Sequence, residues 1–287
     1  MEWQNMREEE FEGAVKESGK VCIVPIGCVE KHGQHLPVGI DTQVVNQICI
    51  EAAKKEPVVV FPPIYFGDVM GHTIVRGGIM FSAELLLQLL KEITSEIARN
   101  GFCKILIVNC HGGNVGWLNH FLNAHAYKRK DYATMWAWAC DHKNENVTVL
   151  YETVKNNPER FSYLTEEDIE NLKKLAERGA GGGHGHINET AVVQTVVPHL
   201  VNVERSADVD GLSTGRADFL LKEGIAAQFA WPSNYPNAYS GFDSVGSSAN
   251  IGRAILDVGA ERLARIFKKI KEDEDSIAMT MRLAGLK

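Results

Sequence analysis

The sequence predicts an α/β fold with a mostly parallel sheet and helices on both faces, formed as a single domain over residues 1–287. Short apolar segments rich in β-branched residues alternate with longer segments whose apolar residues recur at helical spacing, and this order is typical of parallel sheets. No internal repeat, low-complexity tract or linker divides the chain. Right-handed crossovers would place the loops after the strands along one edge, where open α/β folds bind ligands.

The predicted strands are short and apolar, as expected of strands that are buried on both faces. The first ends at Gly27, and the second ends at the pair Pro62-Pro63, which cannot continue a ladder. The third and fourth each follow a predicted helix. The predicted bounds are Val21–Ile26, Pro57–Phe61, Lys104–Asn109 and Thr134–Ala139.

The predicted helices carry apolar residues on one face and recognisable ends. The helix from Ala83 has leucines and isoleucines at helical spacing and stops at Asn100-Gly101. The last helix ends in basic residues that suit its dipole. The predicted bounds are Thr42–Lys55, Ala83–Arg99, Trp117–Lys128, Val192–Val197 and Ile251–Lys271. A polar helical insertion at about 144–178, with a capping box at Thr165–Asp168, is expected to cover the sheet edge.

Composition and charge narrow the kinds of partner and cellular location to be expected. The chain has 45% hydrophobic residues, 23% charged residues and a net charge of −7, so nucleic acid and anionic membranes are not expected partners. The start of the chain lacks the plan of a signal peptide, and no apolar stretch reaches membrane-spanning length. The six cysteines form no CxxC pair, which favours a reducing, cytoplasmic location. We therefore expect a small-molecule substrate.

The loop after the first strand carries the strongest chemical signal. Glu30 and His32 are two residues apart, so they point to the same side of an extended backbone, and His35 and Asp41 can fold back towards them. Carboxylates and imidazoles are the ligands of a divalent metal such as zinc, manganese or iron. The alternative is a polar surface loop in which Asp41 only caps the following helix.

A second polar cluster follows the third strand, at Asn109-Cys110-His111-Gly112-Gly113-Asn114. The glycine pair would let the backbone approach a bound group, and His111 stands where a ligand at a strand end is expected. The alternative is a glycine-rich turn with an incidental histidine. If the loop shares the sheet edge with Glu30 and His32, convergence of these groups indicates a site.

Two further loops carry candidate residues. In the glycine-rich segment 181–186, His184 and His186 are hard to explain by packing, and one of them is expected to be an acid or base on a loop. Glu189 lies where negative charge also favours a helix start, so it has a structural explanation as well. The loop 71–78 contains His72 and Arg76, which either bind substrate or are solvated.

These motifs, in this order, resemble those of the creatininase (creatinine amidohydrolase) family. The resemblance rests on Glu30-x-His32-Gly33-x-His35-Leu36-Pro37 with Asp41, on Asn109-x-His111-Gly112-Gly113-Asn114, and on His184-Gly185-x-x-x-Glu189-Thr190. It implies a three-layer α/β/α sandwich, two metal ions per chain at the strand ends, and a homo-oligomer, commonly a hexamer. It spans about residues 21–190 and is specific for the family rather than for one substrate.

The resemblance also implies residue roles. Glu30 and His111 would bind one metal and His32 the other, with Asp41 bridging both. Glu189 would complete the second site, and His184 would donate a proton to the leaving group; we also assign catalytic roles to Asp41 and Glu189. Asn114 stands where creatininase has a glutamate ligand, and glycines stand beside His184 where creatininase has tryptophans, which argues against creatinine as the substrate. We assign substrate binding to His35, His72, Arg76, Asn114 and His186.

The expected function is a dinuclear metal-dependent hydrolase that attacks a carbonyl of a small polar, cyclic substrate with metal-bound hydroxide. Zinc is the preferred metal, and manganese and iron are the alternatives. The bond is expected to be a cyclic amide or related C–N bond. Hydrolysis of a ring C–C bond in a cyclic polyol ketone, or of an N-formyl amide, are the alternatives within the same chemistry.

Two interpretations from other classes stay open. Cys28 or Cys110 could be the nucleophile of a cysteine hydrolase, since both follow strands near histidines. The metals could also serve only structure or metal sensing in an oligomer, in which case coordination would be closed, whereas catalysis requires an open position.

Overall fold

The computed structural model describes residues 1–69, 71, 73–127, 130–140, 146–179 and 183–285. In this part of the chain four strands form one sheet in the order β2-β1-β3-β4, and every neighbouring pair is parallel. The parallel sheet predicted from the sequence is therefore confirmed. The strands are β1 (Val21–Ile26), β2 (Val59–Val60), β3 (Lys104–Asn109) and β4 (Ala133–Trp138).

The helices account for most of the remaining described chain. None of the described helices combines the length and apolar character needed to cross a membrane. Their bounds are α1 (Phe11–Glu17), α2 (Ile40–Lys55), α3 (Ala83–Arg99), α4 (Asn114–His125), α5 (Val147–Asn156), α6 (Glu166–Glu177), α7 (Ile187–Val196), α8 (Asp218–Lys222), α9 (Ala230–Asn234), α10 (Ala249–Glu272) and α11 (Ser276–Gly285).

The strand residues alternate between two cores, which makes the fold a three-layer sandwich. Cys22, Val24 and Ile26 of β1 pack towards α1, α3 and α4, whereas Val21 and Ile23 pack towards α2 and α10. The same alternation continues along β3, where both faces are buried. A strand with two covered faces needs apolar residues at every position, which is why these segments are continuous apolar runs.

Several boundaries differ from the prediction. β2 is shorter than expected, because Phe61 N still donates to Ile23 O but the prolines that follow have no N–H to donate. α4 begins at Asn114 and ends at His125, and the predicted end at Lys128 lies outside the described residues. α7 begins at Ile187, well before the predicted Val192, so Glu189 lies in its first turn.

The predicted insertion contains two helices, α5 and α6, while residues 144 and 145 lie outside the described chain. The capping box is confirmed: Asp168 N donates to Thr165 Oγ1, and Thr165 N donates to Asp168 Oδ2. The apolar faces of both helices pack with residues of α2, α7 and α10. The apolar residues of the insertion are thus buried against other helices, and its expected position over the sheet edge stays a prediction.

Lys104 joins the start of β3 to the end of α10. Its side chain is buried, and Nζ donates to the carbonyls of Ile270 (2.9 Å), Lys271 (3.0 Å) and Asp273. The last carbonyls of a helix have no partner within the helix, so a cation there satisfies them and suits the helix dipole.

We predict that Lys104→Met lowers the free energy of unfolding by about 1–3 kcal/mol, because buried carbonyls of α10 lose their donor. Urea denaturation measures the change. Lys268→Met is the matched control: its side chain is 64% exposed, with Nζ 3.8 Å from Glu272 Oε1, and it should change stability by less than about 1 kcal/mol. Equal losses in both variants would contradict a role for Lys104 at the helix end.

Candidate metal centre

The loop after β1 lies against the start of α2, and Gly27 makes this possible. A Cβ at Gly27 would lie 2.4 Å from the backbone nitrogen of Thr42 and 2.6 Å from the carbonyl carbon of Asp41, which real side chains do not tolerate. The contact brings Glu30 and His32 beside Asp41. Asp41 lies in the first turn of α2, where Gly39 occupies the cap position, so the alternative of a simple capping residue does not hold.

His111 reaches the same place from the neighbouring strand β3. The side chain of Asn109 donates to His111 O (2.8 Å) and accepts from His111 N (3.1 Å), which holds the turn after the strand. A Cβ at Gly113 would lie 2.1 Å from Asp68 O and 2.5 Å from the His111 ring, so only glycine fits there. β1 and β3 lie side by side where the strand order changes direction, which is the usual ligand position in open α/β sheets.

Asp41 lies between two imidazoles, one on each of its oxygens. Asp41 Oδ1 is 3.1 Å from His32 Nε2, and Asp41 Oδ2 is 3.2 Å from His111 Nδ1. Glu30 Oε1 is 2.9 Å from His111 Nδ1 and 3.6 Å from His32 Nε2. All four residues are at most 7% exposed. A carboxylate placed in this way can give one oxygen to each of two ions.

Three histidines of the centre are held in the same manner: one ring nitrogen lies on a backbone carbonyl, and the other faces the carboxylates. A partner of this kind fixes the ring orientation and tautomer of metal-binding histidines. The carbonyl contacts are His32 Nδ1 to Glu30 O (3.2 Å), His111 Nε2 to Asp68 O (2.6 Å) and His184 Nε2 to Lys31 O (2.7 Å).

His184 and Glu189 come from the loop and first turn at α7. The His184 ring stacks on His32 with centroids 4.1 Å apart, and its Nδ1 is 3.7 Å from Glu30 Oε1. Glu189 Oε2 accepts from Gly185 N (2.7 Å) and is 3.9 Å from His32 Nε2. The structure therefore brings together all six residues that we predicted as metal ligands or catalytic groups; the role of each remains a prediction.

The charges of the two innermost carboxylates depend on the imidazoles. Burial opposes ionisation of Glu30, but His111, His184 and His32 outweigh it and lower its pKa to about 2. Burial likewise opposes ionisation of Asp41, and His32 and His111 hold its pKa well below the usual range. Both groups are anions at neutral pH.

The imidazoles carry the compensating protons in the absence of metal. Burial lowers the pKa of His32, but Asp41, Glu189 and Glu30 outweigh it and raise that pKa to about 9. Glu30 and Asp41 overcome the same burial at His111 and raise its pKa well above its usual value. Burial raises the pKa of Glu189 to about 7, with His32 acting in the opposite direction. Buried positive charge at this point suits a site built for cations.

The donor atoms fit divalent metal ions. The metal-binding atoms of Cys28, Glu30, Asp41 and His111 lie within 4.8 Å of one another, and so do those of Glu30, His32 and His184. Nitrogen and oxygen donors of this kind suit zinc, manganese and iron. The chain thus has a metal-binding centre whose two donor clusters share Glu30.

A cavity of about 530 Å³ opens onto the centre. Glu30, His111, His184 and Glu189 line its inner wall, together with Trp138 and Trp231. Trp231 meets the His184 ring edge to face, with centroids 5.2 Å apart. The sequence has glycines rather than tryptophans next to His184, but in the folded protein Trp231 lies beside its ring.

The two tryptophans differ in how well the sequence could have revealed them. Trp138 ends β4, so the convergence of strand ends was a usable signal. Trp231 lies in α9, far along the chain, and no local pattern indicates that this short helix reaches the cavity.

Asn114 does not occupy a substrate-binding position. Its Oδ1 accepts from Asp68 N (3.0 Å) and Trp117 Nε1 (2.9 Å), and its Nδ2 donates to Gly27 O (3.1 Å) and Asn109 Oδ1 (3.0 Å). The side chain is fully buried. We correct the predicted role: Asn114 ties the loops of the site to one another and has its hydrogen-bonding capacity filled by protein.

His35 and His186 lie behind the cavity wall. His35 Nε2 is 2.8 Å from Thr190 Oγ1, and the ring packs on Tyr239; burial lowers the pKa of His35 to about 4. His186 is buried and, together with Asp41, lines a second, smaller cavity of about 40 Å³. Direct substrate contact, as predicted for both, does not fit these positions.

The loop 71–78 gives little support to the other two predicted substrate contacts. Arg76 is exposed and is not among the described residues that line the cavity. His72 lies outside the described residues, so its predicted role stays a prediction.

The cysteine-nucleophile alternative is disfavoured by the surroundings of both thiols. Burial and the nearby Asp41 and Glu30 raise the pKa of Cys28 well above its usual value. The contact with Cys140, together with burial, does the same for the pKa of Cys110. A nucleophilic thiol needs a lowered pKa, so neither cysteine is activated in the metal-free protein.

Comparisons with known proteins agree with this architecture. The family model described as creatinine amidohydrolase matches residues 4–267. The chain is 23% identical over 211 residues to creatinine amidohydrolase of Pseudomonas putida, covering 70% of this chain and 73% of the relative. It is 30% identical over 102 residues to 3-dehydro-scyllo-inosose hydrolase of Thermotoga maritima, covering 34% of this chain and 33% of the relative.

Solved structures of creatininase share the fold. A creatininase in which one tryptophan is replaced by phenylalanine superposes with a TM-score of 0.69 at 18% identity, covering 93% of this chain and 98% of that structure. Two more are described as a glutamate-to-glutamine mutant of Zn-Zn type and as creatininase Mn. Each superposes with a TM-score of 0.65 at 18% identity. Each alignment covers 93% of this chain and 97% of the solved chain.

The three-layer sandwich with a metal-binding centre at its strand ends belongs to a hydrolytic class of enzymes. The chain is a member of the creatininase family, since the family model spans nearly all of it. The resemblance noted in the sequence is thereby confirmed, as is the expectation of a hydrolase.

We predict that zinc binding to the metal-free protein releases protons at roughly neutral pH. The reason is that His32, with a pKa of about 9, and His111 must each lose a proton before they bind a cation. Calorimetry in buffers of different ionisation enthalpy measures the number released. The number should fall as pH rises through about 9, where His32 becomes neutral. Zinc binding without a buffer-dependent enthalpy would contradict this charge arrangement.

Proposed function

We propose that the protein is a dinuclear metal-dependent hydrolase that attacks a carbonyl of a small polar, cyclic substrate. The observation that carries the proposal is Asp41, whose two oxygens face two separately held imidazoles, His32 and His111. A bridging carboxylate between two donor sets is typical of two-metal hydrolytic sites. Creatininases solved with zinc or manganese share this fold, which supports the same kind of metal here.

Two divalent cations per chain are proposed, with zinc preferred and manganese or iron as alternatives. Glu30, Asp41 and His111 would hold one ion, and His32, Asp41 and Glu189 the other. Divalent cations bound there would supply a water whose pKa is lowered towards about 7 and a Lewis acid for the substrate carbonyl.

His184 is proposed as the proton donor to the leaving group. Its Nε2 lies on Lys31 O (2.7 Å), so Nδ1 is the nitrogen that can take up and give a proton at the cavity wall. Stacking on His32 and the edge contact with Trp231 hold the ring in this orientation. An imidazole suits proton transfer near neutral pH.

The shape of the cavity supports a small ring as substrate. Trp138 and Trp231 offer flat apolar surfaces, while the carboxylates, His184 and Ser240 offer polar contacts. A volume of about 530 Å³ lies within the usual range for small-molecule sites. We propose a cyclic amide or related C–N bond as the target.

Hydrolysis of a ring C–C bond next to a ketone is the second candidate. The similarity to a 3-dehydro-scyllo-inosose hydrolase favours it, although that match covers only about a third of each chain. The same residues would serve both reactions, because both begin with attack on a ring carbonyl. An assay panel should therefore contain cyclic amides, formamides and cyclic polyhydroxy ketones.

We predict that protein purified without added metal contains about two metal ions per chain by elemental analysis, and that Asp41→Ala loses most of both. The reason is that one side chain contributes to both donor sets. Asp208→Ala is the matched control: that carboxylate is 48% exposed and pairs with nearby Arg205, so metal content should not change.

His184→Gln separates binding from catalysis in the same experiment. It should keep both metals and lose about 10²–10⁴-fold in turnover on any substrate found. A parent protein that neither contains nor takes up zinc, manganese or iron would rule out the proposed function. Loss of one metal from His184→Gln would instead make His184 a ligand.

We propose further that the protein forms a homo-oligomer, a hexamer by family resemblance, in the cytoplasm. The segment 211–229 supports association because it exposes Leu212, Phe219, Leu221, Ile225 and Phe229, each at least 50% exposed. Apolar exposure on this scale marks an interaction surface.

The proposed cytoplasmic location is supported by the six free cysteines, which suit a reducing compartment.

Sedimentation velocity should give a mass of several chains for the parent and a smaller mass for the double variant Phe219→Glu and Leu221→Glu, because charges at this surface would be buried on association. Lys222→Glu, a charge change on the same helix, is the comparison variant. A monomeric parent across the micromolar range would contradict the proposal.

A further inference from the structure

Cys28 lies within the metal centre, although the proposed donor sets do not include it. Its Sγ is 3.1 Å from Asp41 Oδ2, the oxygen that also faces His111. The side chain is fully buried, and it is not among the described residues that line the cavity. Of this cluster, Glu30 and His111 are among the described residues that line the cavity.

We infer that the Cys28 sulfur is the fourth protein ligand of the ion held by Glu30, Asp41 and His111, and that this makes the two metal sites chemically different. The inference rests on the proposed dinuclear function and specifies the composition of its centre.

The distances fit a tetrahedral site. Zinc bonds of about 2.0–2.3 Å imply ligand atoms roughly 3.3–3.7 Å apart at tetrahedral angles. The sulfur and oxygen at 3.1 Å, and the nitrogen and oxygen atoms at 2.9 and 3.2 Å, are slightly closer, as expected for groups joined by hydrogen bonds before an ion separates them. All four donor atoms lie within 4.8 Å of one another.

The chemistry of the group also suits this role. In the metal-free protein the thiol donates its hydrogen to Asp41 Oδ2. On metal binding the sulfur–metal bond forms, the S–H bond breaks, and the proton leaves to solvent, as for other cysteine ligands. A nearby divalent cation reverses the effect of the carboxylates on the thiol, which is why thiols in such sites are deprotonated.

As a consequence, the two metal sites would differ in affinity and in function. A site with Cys28, Glu30, Asp41 and His111 has four protein ligands and a soft sulfur, which favours tight binding of zinc over manganese. The site with His32, Asp41 and Glu189 would have three protein ligands, which leaves one coordination position open, as in catalytic zinc sites. The second ion should exchange more readily than the first.

X-ray absorption at the zinc edge tests the inference directly on protein loaded with zinc. The parent should show a sulfur shell at about 2.3 Å with about one sulfur per two zinc ions. Cys28→Ser should keep nitrogen and oxygen shells and lose the sulfur shell. Cys110→Ser is the matched control, since it removes another thiol next to the centre and should leave the sulfur shell in place.

Competition between zinc and manganese gives a second readout. In Cys28→Ser the preference for zinc at the tighter site should fall at least about tenfold, since serine offers a hard oxygen. If Cys28→Ser does not fold, the sulfur shell of the parent and its persistence in Cys110→Ser decide the matter, and loss of the shell in Cys110→Ser would overturn the inference.

The outcomes separate this inference from the proposed function. Two bound zinc ions with only nitrogen and oxygen neighbours in the parent would overturn the role of Cys28 and leave the dinuclear hydrolase intact. A sulfur shell that survives in Cys28→Ser but disappears in Cys110→Ser would also overturn it. A parent that binds no zinc would overturn both.

Discussion

The contact between the buried carboxylate of Asp41 and the imidazoles of His32 and His111 is the constraint on which the rest of the structure depends. A carboxylate out of water is stable only when cations or strong donors surround it, so the two imidazoles must arrive at the same point. They come from the ends of two neighbouring strands, and Asp41 comes from the start of a helix. Gly27 and Gly113 are required because any side chain there would push these backbones apart.

This arrangement explains which parts of the molecule the sequence could predict. The strands and long helices follow from continuous apolar runs and from helical spacing, and their type was predicted correctly, with shifts of a few residues at the ends. The candidate metal ligands could be recognised because their imidazoles and carboxylates follow predicted strands, whose ends meet at one edge of a parallel sheet. Glu30, His32, Asp41 and His111 therefore met in space as expected, and their ligand roles stay predictions.

The errors share a physical cause. Polar residues next to a site were taken as substrate contacts, yet Asn114 and His35 are used to hold loops together, because turns at strand ends leave backbone groups that need partners. Nothing in the local sequence separates these two uses. The aromatic wall from Trp231 was missed for a different reason: its approach depends on how the long segment after α7 returns to the sheet edge, and this is decided by tertiary packing.

Trp231 and Ser240 belong to the C-terminal third of the chain, whereas the metal-type residues lie between Cys28 and Glu189. One part of the cavity wall is thus encoded after α7, in a stretch separate from the candidate metal ligands, whereas Trp138 lies within the same stretch as those ligands. Substitutions or insertions after α7 can alter which molecules enter without disturbing the buried charges. This separation offers a structural route by which one metal centre could be adapted to many substrates, with selection acting on the outer wall while the inner one is preserved.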